Sequence, residues 1–320
     1  MSDSALTPQE VADILKISKN TVYELIKRGE LNAYKVGNRF RIDLRDVEAY
    51  INKAKMIKET KAESHGLINA QSLNQSLLTT ETLPLSDGFI ICGQDVILDI
   101  LSRYLELHPK GVRALRAHLG SYNGLYALYQ GKAQIATAHM WDGDTDQYNV
   151  PYVSKMLPGI PALIVNLAYR MQGFYVAKGN PKHIKNWEDF ARDDITIVNR
   201  EKGSGVRILI DERLRKMGLR GSEIKGYEIE CSSHLAVASA VARGSADLGV
   251  GNEKTALQVK DVDFIPIQKE QYDLIMKKED IEKPVFQAII EIIRSDEFKA
   301  EIEGIGGYDL TRTGEIIAET

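Results

Sequence analysis

The run Asn199-Arg200-Glu201-Lys202-Gly203-Ser204-Gly205 follows the β-branched stretch 195–198 and leads into a helical pattern that contains Arg207. Strand, glycine-rich turn and helix start make a candidate anion cradle. Glycines let backbone N–H groups approach a ligand, the unpaired donors of a first helical turn point at it, and the helix dipole favours negative charge there. Arg200, Lys202 and Arg207 would add formal positive charge. Two plainer uses compete: Gly203 and Gly205 could serve close packing, and Arg207 could pair with Asp211 one helical turn on. Ser121, in Gly120-Ser121-Tyr122-Asn123-Gly124, is a second hydroxyl in a glycine-containing turn before a helix. His139 and His234 could donate to an anion or be ordinary structural groups.

The elements that must position these residues alternate between strand and helix. Phe89 to Gly93 reads as a buried strand, Asp95 to Leu107 as a helix, Val112 to Leu115 as a strand, Ser121 to Tyr129 as a helix, and Ala133 to Thr137 as a strand ending at His139. Successive crossings of this kind predict parallel α/β sheets, with ligands beyond the carboxyl ends of the strands.

Catalytic signatures are missing. The chain has no nucleophile elbow, no phosphate-binding Walker loop and no His-Glu-x-x-His, and Asp142, Asp144 and Asp146 lack the downstream Glu of a calcium loop. The expectation is therefore a non-enzyme with no catalytic residues, no metal ligands and no cofactor. Cys92 and Cys231 show no pairing pattern and are expected as reduced, buried thiols. No secretory amino end and no run near the length of a membrane span occur, so a cytoplasmic protein with no membrane partner is expected.

Charge is segregated along the 320 residues. Net charge is −4, but residues 1–61 hold 12 Lys and Arg against 9 Asp and Glu, a balance of +3 that leaves −7 for the rest. A small basic module joined to a larger acidic one points to a polyanion partner for the first part alone. In that module Thr7-Pro8-Gln9-Glu10 reads as a capping box with Pro at the first helical position, and Ser18 caps a second helix that runs to about Lys27 and Arg28. Strands 31–36 and 39–42 flank the hairpin turn Gly37-Asn38, and Asp43 begins a third helix with Leu44, Val47, Tyr50 and Ile51. Ser18, Lys19, Asn20, Thr21, Tyr23 and Lys27 would face the major groove of duplex DNA, with Arg39 and Arg41 on a wing.

Residues 4–55 closely resemble the excisionase-type, MerR-like winged helix-turn-helix family, through Leu6-Thr7-Pro8-Gln9-Glu10-Val11-Ala12, Ser18-Lys19-Asn20-Thr21-Val22-Tyr23 and Gly37-Asn38-Arg39-Phe40-Arg41-Ile42. That resemblance implies sequence-directed binding to double-stranded DNA. So small a module makes few base contacts, which predicts a homodimer or a higher homo-oligomer.

Most of residues 88–276 resemble the periplasmic-binding-protein-like effector domains of bacterial regulators, which are related to molybdate-binding proteins. The matching motifs include Gly120-Ser121, Ala138-His139-Met140, Arg170-Met171-Gln172-Gly173, Asn199 to Gly205, Ser233-His234 and Tyr272-Asp273-Leu274. Val206 departs from the Thr that many relatives carry. The resemblance implies an α/β chain in which a small winged helix-turn-helix domain (1–57) and a linker (58–84) precede a two-lobed type II periplasmic-binding-protein-like domain (85–320). Lobe 1 would span about 85–165 and 270–320, lobe 2 about 168–266. The ligand would sit in the cleft between them, touched by Ser121, His139, Arg200, Gly203, Ser204, Gly205, Arg207 and His234. Near the lobe crossings, Arg170 would read a carboxylate or brace the hinge, and Tyr272 would close over the ligand or fill the core.

The expectation is a one-component transcription regulator that binds DNA and senses a small anion, with molybdate or tungstate as the first specific ligand. The alternatives are a sensor of a small organic anionic metabolite, and a DNA-architectural or excision factor whose large domain only mediates assembly.

Overall fold

The computed structural model describes residues 5–27, 31–37, 39–44, 46–47, 50 and 88–320. The chain divides into two compact units, 1–69 and 70–320. Arg28, Asn38, Ile51 and the expected linker 58–84 lie outside the described residues.

In the first unit, helix α1 (Pro8–Leu15) starts on the predicted capping box. The Thr7 hydroxyl accepts from the Glu10 N–H at 3.3 Å, and the Glu10 carboxylate accepts from the Thr7 N–H at 2.7 Å. Helix α2 (Lys19–Lys27) begins on Ser18, whose Oγ accepts from the Thr21 N–H at 3.2 Å. Strands β2 (Tyr34–Val36) and β3 (Arg39–Asp43) pair antiparallel around Gly37, which has the positive φ of 61° that such a turn requires. A short strand β1 (Ala5–Leu6) adds to the other edge of β3. Two residues are too few to show alternation, so the sequence carries no sign of it. Leu44, Asp46, Val47 and Tyr50 are helical as expected. Val11, Val22, Leu25, Leu31, Ile42 and Val47 form the core that fixes the two helices against the hairpin.

The second unit is built on a seven-stranded sheet ordered β12-β9-β13-β6-β4-β5, with β14 (Ile316–Glu319) also on β9. Its axis is two 16-residue strands, β9 (Ala162–Ala177) and β13 (Val262–Lys277), antiparallel along their whole length. One end of this pair joins β6 (Ile135–Ala138), β4 (Phe89–Cys92) and β5 (Ala114–Ala117); the other joins β12 (Leu248–Asn252). The expected crossing points, 165–168 and 266–270, fall inside β9 and β13.

The expectation of parallel sheets needs correction. Strand β4 pairs parallel with β5 and β6, and β10 (Asn199–Arg200) with β11 (Glu230–Cys231), but every pairing of β9 and β13 is antiparallel. A chain that crosses between lobes and returns must run in opposite directions on the two passes, which makes the crossings neighbours in an antiparallel ladder.

Both faces of the sheet are covered. Ile91, Ile135, Val165 and Leu274 pack on one side, while the alternate residues Cys92, Ala136, Ile164 and Ile275 pack on the other. Helix α3 (Ile97–Leu107) lies in the first of these clusters and α4 (Ser121–Tyr129) in the second. The start of α3 is two residues later than predicted, because the Asp95 carboxylate accepts from the Ile97 N–H at 2.9 Å. Strand β5 is likewise shifted two residues along from the predicted 112–115. Helices α5 (Val150–Met156), α6 (Gly205–Lys216), α7 (His234–Ala242), α8 (Glu253–Gln258), α9 (Pro284–Arg294) and α10 (Asp296–Ile305) complete the unit. Among the described residues no helix is long and apolar enough to cross a membrane.

Both cysteines are free. Cys92 is buried, but Cys231, expected to be buried as well, is only half-buried at the end of the short strand β11.

Candidate functional site

A cavity of about 850 Å³ opens in the second unit beyond the carboxyl ends of β4, β5, β6, β10, β11 and β12. Ser121, His139, Arg170, Arg200, Ser204, Gly205, His234 and Tyr272 all line it, so residues scattered over 152 positions of sequence converge on one space. Gly203 and Arg207 do not line it.

Three serines stand at helix starts on the cavity wall. Ser121 is the first residue of α4, and its Oγ accepts from the His139 N–H at 3.3 Å. Ser204 caps α6 by accepting from the Arg207 N–H at 3.2 Å, and Ser233 caps α7 by accepting from the Ala236 N–H at 3.1 Å. In each case a backbone N–H occupies one lone pair of the hydroxyl, and its O–H proton remains to donate elsewhere. Hydroxyl donors and helix starts converging from both lobes suit an anionic group.

The cationic side chains of the wall are largely neutralised within the protein. Arg200 is 2% exposed and forks onto Glu201, with Nε and one terminal nitrogen each 2.7 Å from a carboxylate oxygen; the same terminal nitrogen donates to Gln94 Oε1 at 2.8 Å. Arg170 lies between Asp95, at 2.5 Å, and Glu270, its cross-strand partner, and its guanidinium stacks 4.1 Å from the Tyr272 ring centroid. Burial opposes the charge on Arg170, but Glu270 and then Asp95 more than offset it and raise its pKa. For Glu270, burial pushes upward, yet Arg170 and His139 overcome it and hold the carboxyl at about 2. Of its two expected roles, Arg170 therefore has the geometry of a hinge brace on β9, with its charge already met by two carboxylates.

His139 Nδ1 sits 2.7 Å from Glu270 Oε2, and its ring meets Tyr272 edge-on at 5.9 Å. Among the described residues His234 Nδ1 has no hydrogen-bond partner; burial first, then Arg200, Arg170 and His139, lower its pKa well below 6.5, so at neutral pH it is an uncharged imidazole. Tyr272 is buried and donates to Thr137 Oγ1 at 2.9 Å, which in turn donates to the Cys92 carbonyl at 3.0 Å. It fills the wall of the cavity from within the core.

Arg207, expected at the ligand, lies off the cavity wall and is engaged within the protein. Its guanidinium donates to Asp211 at 3.3 Å, to Glu230 at 2.8 Å and to the Arg200 carbonyl at 3.2 Å, and stacks on Tyr227 at 4.2 Å. Helical periodicity turns a side chain at the third position of α6 away from the cavity onto β11. Gly203 is likewise off the cavity wall. With φ at +89°, its carbonyl accepts from the Tyr122 N–H of the opposite lobe at 3.0 Å. A Cβ on Gly120 would come within 2.7 Å of the Gly203 carbonyl, and one on Gly205 within 2.6 Å of the His139 ring. The glycines thus let the two lobes close against each other, with Gly205 also reaching the cavity.

Gln94, Asp95, Ser233, Lys254 and Tyr308 also line the cavity, although none was singled out by the sequence as a ligand residue. Asp95 accepts from Arg170, from the Tyr308 hydroxyl at 2.8 Å and from the start of α3. Gln94 and Asp95 follow β4 and Ser233 follows β11, and a position beyond the carboxyl end of a strand was the available signal. Tyr308 follows α10, more than 200 residues away, and has none.

In the first unit, Ser18, Lys19, Asn20, Thr21, Tyr23 and Lys27 are all exposed, while Val22 and Leu25 face the core. Tyr23 meets Phe40 edge-on at 6.0 Å, which brings the exposed face of α2 beside the hairpin carrying exposed Arg39 and half-buried Arg41. Lys35 lies over the same Phe40 ring at 5.1 Å. The eight candidate DNA-contacting residues therefore belong to adjoining elements of one small unit.

Comparison with known proteins agrees with both halves. A helix-turn-helix domain family matches residues 5–55, and a PBP superfamily domain matches residues 102–294, more than half of the chain. The chain is 41% identical over 320 residues to "Uncharacterized protein YvgK" of Bacillus subtilis (strain 168), covering 99% of each. Among solved structures, a putative phosphate ABC transporter substrate-binding protein with bound phosphate from Clostridium perfringens superposes with a TM-score of 0.52 at 16% identity, over 70% of this chain and 99% of that one. An OxyR mutant of Corynebacterium glutamicum superposes with a TM-score of 0.50 at 10% identity, over 93% and 89% of the two chains. At such identities these two likenesses speak for the fold alone. With the family match over more than half of the chain and a cavity flanked by two long crossing strands in the second unit, this chain belongs to the PBP superfamily and carries an N-terminal helix-turn-helix domain of excisionase type.

Proposed function

We propose that this protein is a one-component transcription regulator: the first unit binds double-stranded DNA, the cavity of the second binds a small anion, and ligand-dependent closure of the lobes changes DNA affinity. The observation that carries the reading is the convergence of the Ser121, Ser204 and Ser233 hydroxyls, at three helix starts, on one cavity. Hydroxyls oriented by a bond from a backbone N–H still have an O–H to donate, and donors are what an anion needs. Ser121, Ser204, Gly205 and Ser233 would hold the anion, with Arg200, His139 and His234 around it; no residue is assigned a catalytic role. DNA binding would place the protein in the cytoplasm, acting as a homodimer on paired half-sites. The response to ligand is bounded by its differential affinity for the open and closed lobes.

Molybdate or tungstate is one candidate ligand. The volume of about 850 Å³ favours a larger one, a small organic anion, because a bare tetrahedral oxyanion would fill a minor part of that space. The deciding experiment is a thermal-shift titration of the full chain with molybdate, tungstate, sulfate, phosphate and small carboxylates, followed by DNA binding with and without any compound that raises the melting temperature. A shift with molybdate and tungstate but not sulfate selects the oxyanion reading; a shift confined to carboxylates selects the organic one. An unchanged melting temperature with every compound rejects the sensor and favours an assembly role.

A further inference from the structure

The charges around the cavity do not balance in the same way everywhere. Arg116 pairs with Asp99 at 2.5 Å, Arg170 with Asp95 and Glu270, and Arg200 with Glu201. Lys254 also lines the cavity, yet among the described residues its ammonium has neither a carboxylate within 4.0 Å nor any hydrogen-bond partner, although its Nζ is shielded from solvent. What it does touch is the Tyr308 ring face, 4.8 Å from the centroid. Burying an ammonium without a partner is costly, and a folded chain holds such a group where something else completes it.

We infer that Lys254 is the cation that reads the ligand, completing a site for an organic anion whose acidic group takes the place of its missing carboxylate. This rests on the sensor reading above and extends it to a residue outside the serine-lined helix starts. Burial lowers the pKa of Lys254 and the nearby Asp95 pulls the other way, as expected for an ammonium that has lost water and gained no close partner. Asn252 Oδ1 is already engaged, accepting from the Thr255 N–H at 2.9 Å and the Thr255 hydroxyl at 2.8 Å, and the Asn252 backbone carbonyl accepts from the Tyr175 hydroxyl at 2.7 Å. Apolar Val96, Leu115 and Leu235 line the same cavity and supply surface for a carbon body, which inorganic oxyanions lack. Lys254 is the second residue of α8, which follows β12 in one lobe, whereas Tyr308 belongs to the stretch after α10, and Tyr308 is tied through Asp95 to Arg170 on the crossing strand β9. An anion on Lys254 therefore sits where the two lobes meet and favours the closed arrangement.

The test is calorimetric titration of the full-length wild type, Lys254→Met and Lys254→Arg with molybdate, phosphate, succinate and benzoate, together with the melting temperature of each ligand-free protein. The expected result is binding of at least one carboxylate by the wild type, weakened roughly ten- to hundredfold in Lys254→Met and within a few fold in Lys254→Arg, as for loss of a charge-assisted hydrogen bond. Ligand-free Lys254→Met should melt at or above the wild-type temperature, because it removes an unsatisfied buried ammonium. Wild-type affinity in Lys254→Met overturns the role of Lys254 and leaves the sensor intact. A ligand-free melting temperature several degrees lower in Lys254→Met, with affinity unchanged, makes Lys254 a brace on Tyr308 instead. A wild type that binds none of the four overturns both readings.

Discussion

The two units handle positive charge in opposite ways. On the first unit, Lys19, Lys27 and Arg39 are exposed and none of them has a carboxylate within 4.0 Å among the described residues. Around the cavity, Arg170 and Arg200 are buried and locked onto carboxylates. A surface that docks on phosphates gains from charges that remain solvated until they displace counterions. A cavity cannot hold bare charge out of water, so it neutralises its arginines and leaves hydroxyls, helix starts and one lysine to meet a ligand. Charge removal should therefore unfold one unit and leave the other folded but inactive.

The largest effect is expected at Arg170. Replacement by Met takes from buried Asp95 and Glu270 the cation they share, leaving only the Tyr308 hydroxyl and Ile97 N–H on one and His139 and Gln172 on the other, and should cost about 3–5 kcal/mol of unfolding free energy in urea. A cost below about 1 kcal/mol would mean that the brace is not holding the lobes.

Acid should act next, through two carboxylates on β13 with opposite shifts. Glu270 is held at about 2 against an ordinary 4.5, so folding favours its ionised form. Its contribution is full above about pH 4.5 and is lost as pH falls through about 2, on the order of 3 kcal/mol. Burial raises Asp273 from 3.8 to about 6 despite amide donors from Asn149, Gln271 and Asn166, so its contribution is full below pH 3.8 and is lost as pH rises through about 6. Urea unfolding from pH 2 to 7 should show Glu270→Gln flattening the acid limb alone; an unchanged acid limb would break the assignment.

Gly205→Ala sharpens the contrast at the lobe seam. The new methyl meets the His139 ring and should cost about 1–3 kcal/mol while weakening ligand-induced closure in small-angle scattering. Full stability and normal closure would show that the seam opens freely. A smaller loss, about 1 kcal/mol, is expected for Ser204→Ala, which removes the α6 cap; paired with Ser121→Ala it should also abolish the ligand response.

Least change in stability is expected for Arg39→Ala with Arg41→Ala, within about 0.5 kcal/mol, although DNA affinity should fall and its logarithmic salt slope should flatten by up to about 2. Unchanged DNA binding at low salt would remove the hairpin from the interface.

Much was legible where local chemistry decides. The capping box at Thr7, the Ser18 start, the Gly37 turn and the Ser121 helix each depend on residues within four positions, and each lies where the sequence predicts it. The candidate loops could be named because the carboxyl ends of strands carry ligands in α/β sheets, but the partner of each side chain could not. Arg207 was indistinguishable from a ligand-reading arginine until the fold placed Asp211, Glu230 and Tyr227 around it. Gly203 and Gly205 similarly satisfied both cradle and packing until Tyr122 and His139 of the facing lobe were seen against them.

Helix starts, the wing turn and the division of charge between a basic and an acidic part were determined by the sequence alone, because backbone hydrogen bonding and side-chain capping act over a few residues. Only the tertiary structure decided which charges are spent on one another. Arg170 meets Asp95 across 75 residues and Tyr308 meets Asp95 across 213, and Lys254 stands out solely because every other cation on that wall has found its carboxylate. Electrostatic pairing is set by distance in space, and long-range distances follow from the two crossing strands, whose pairing no local pattern encodes.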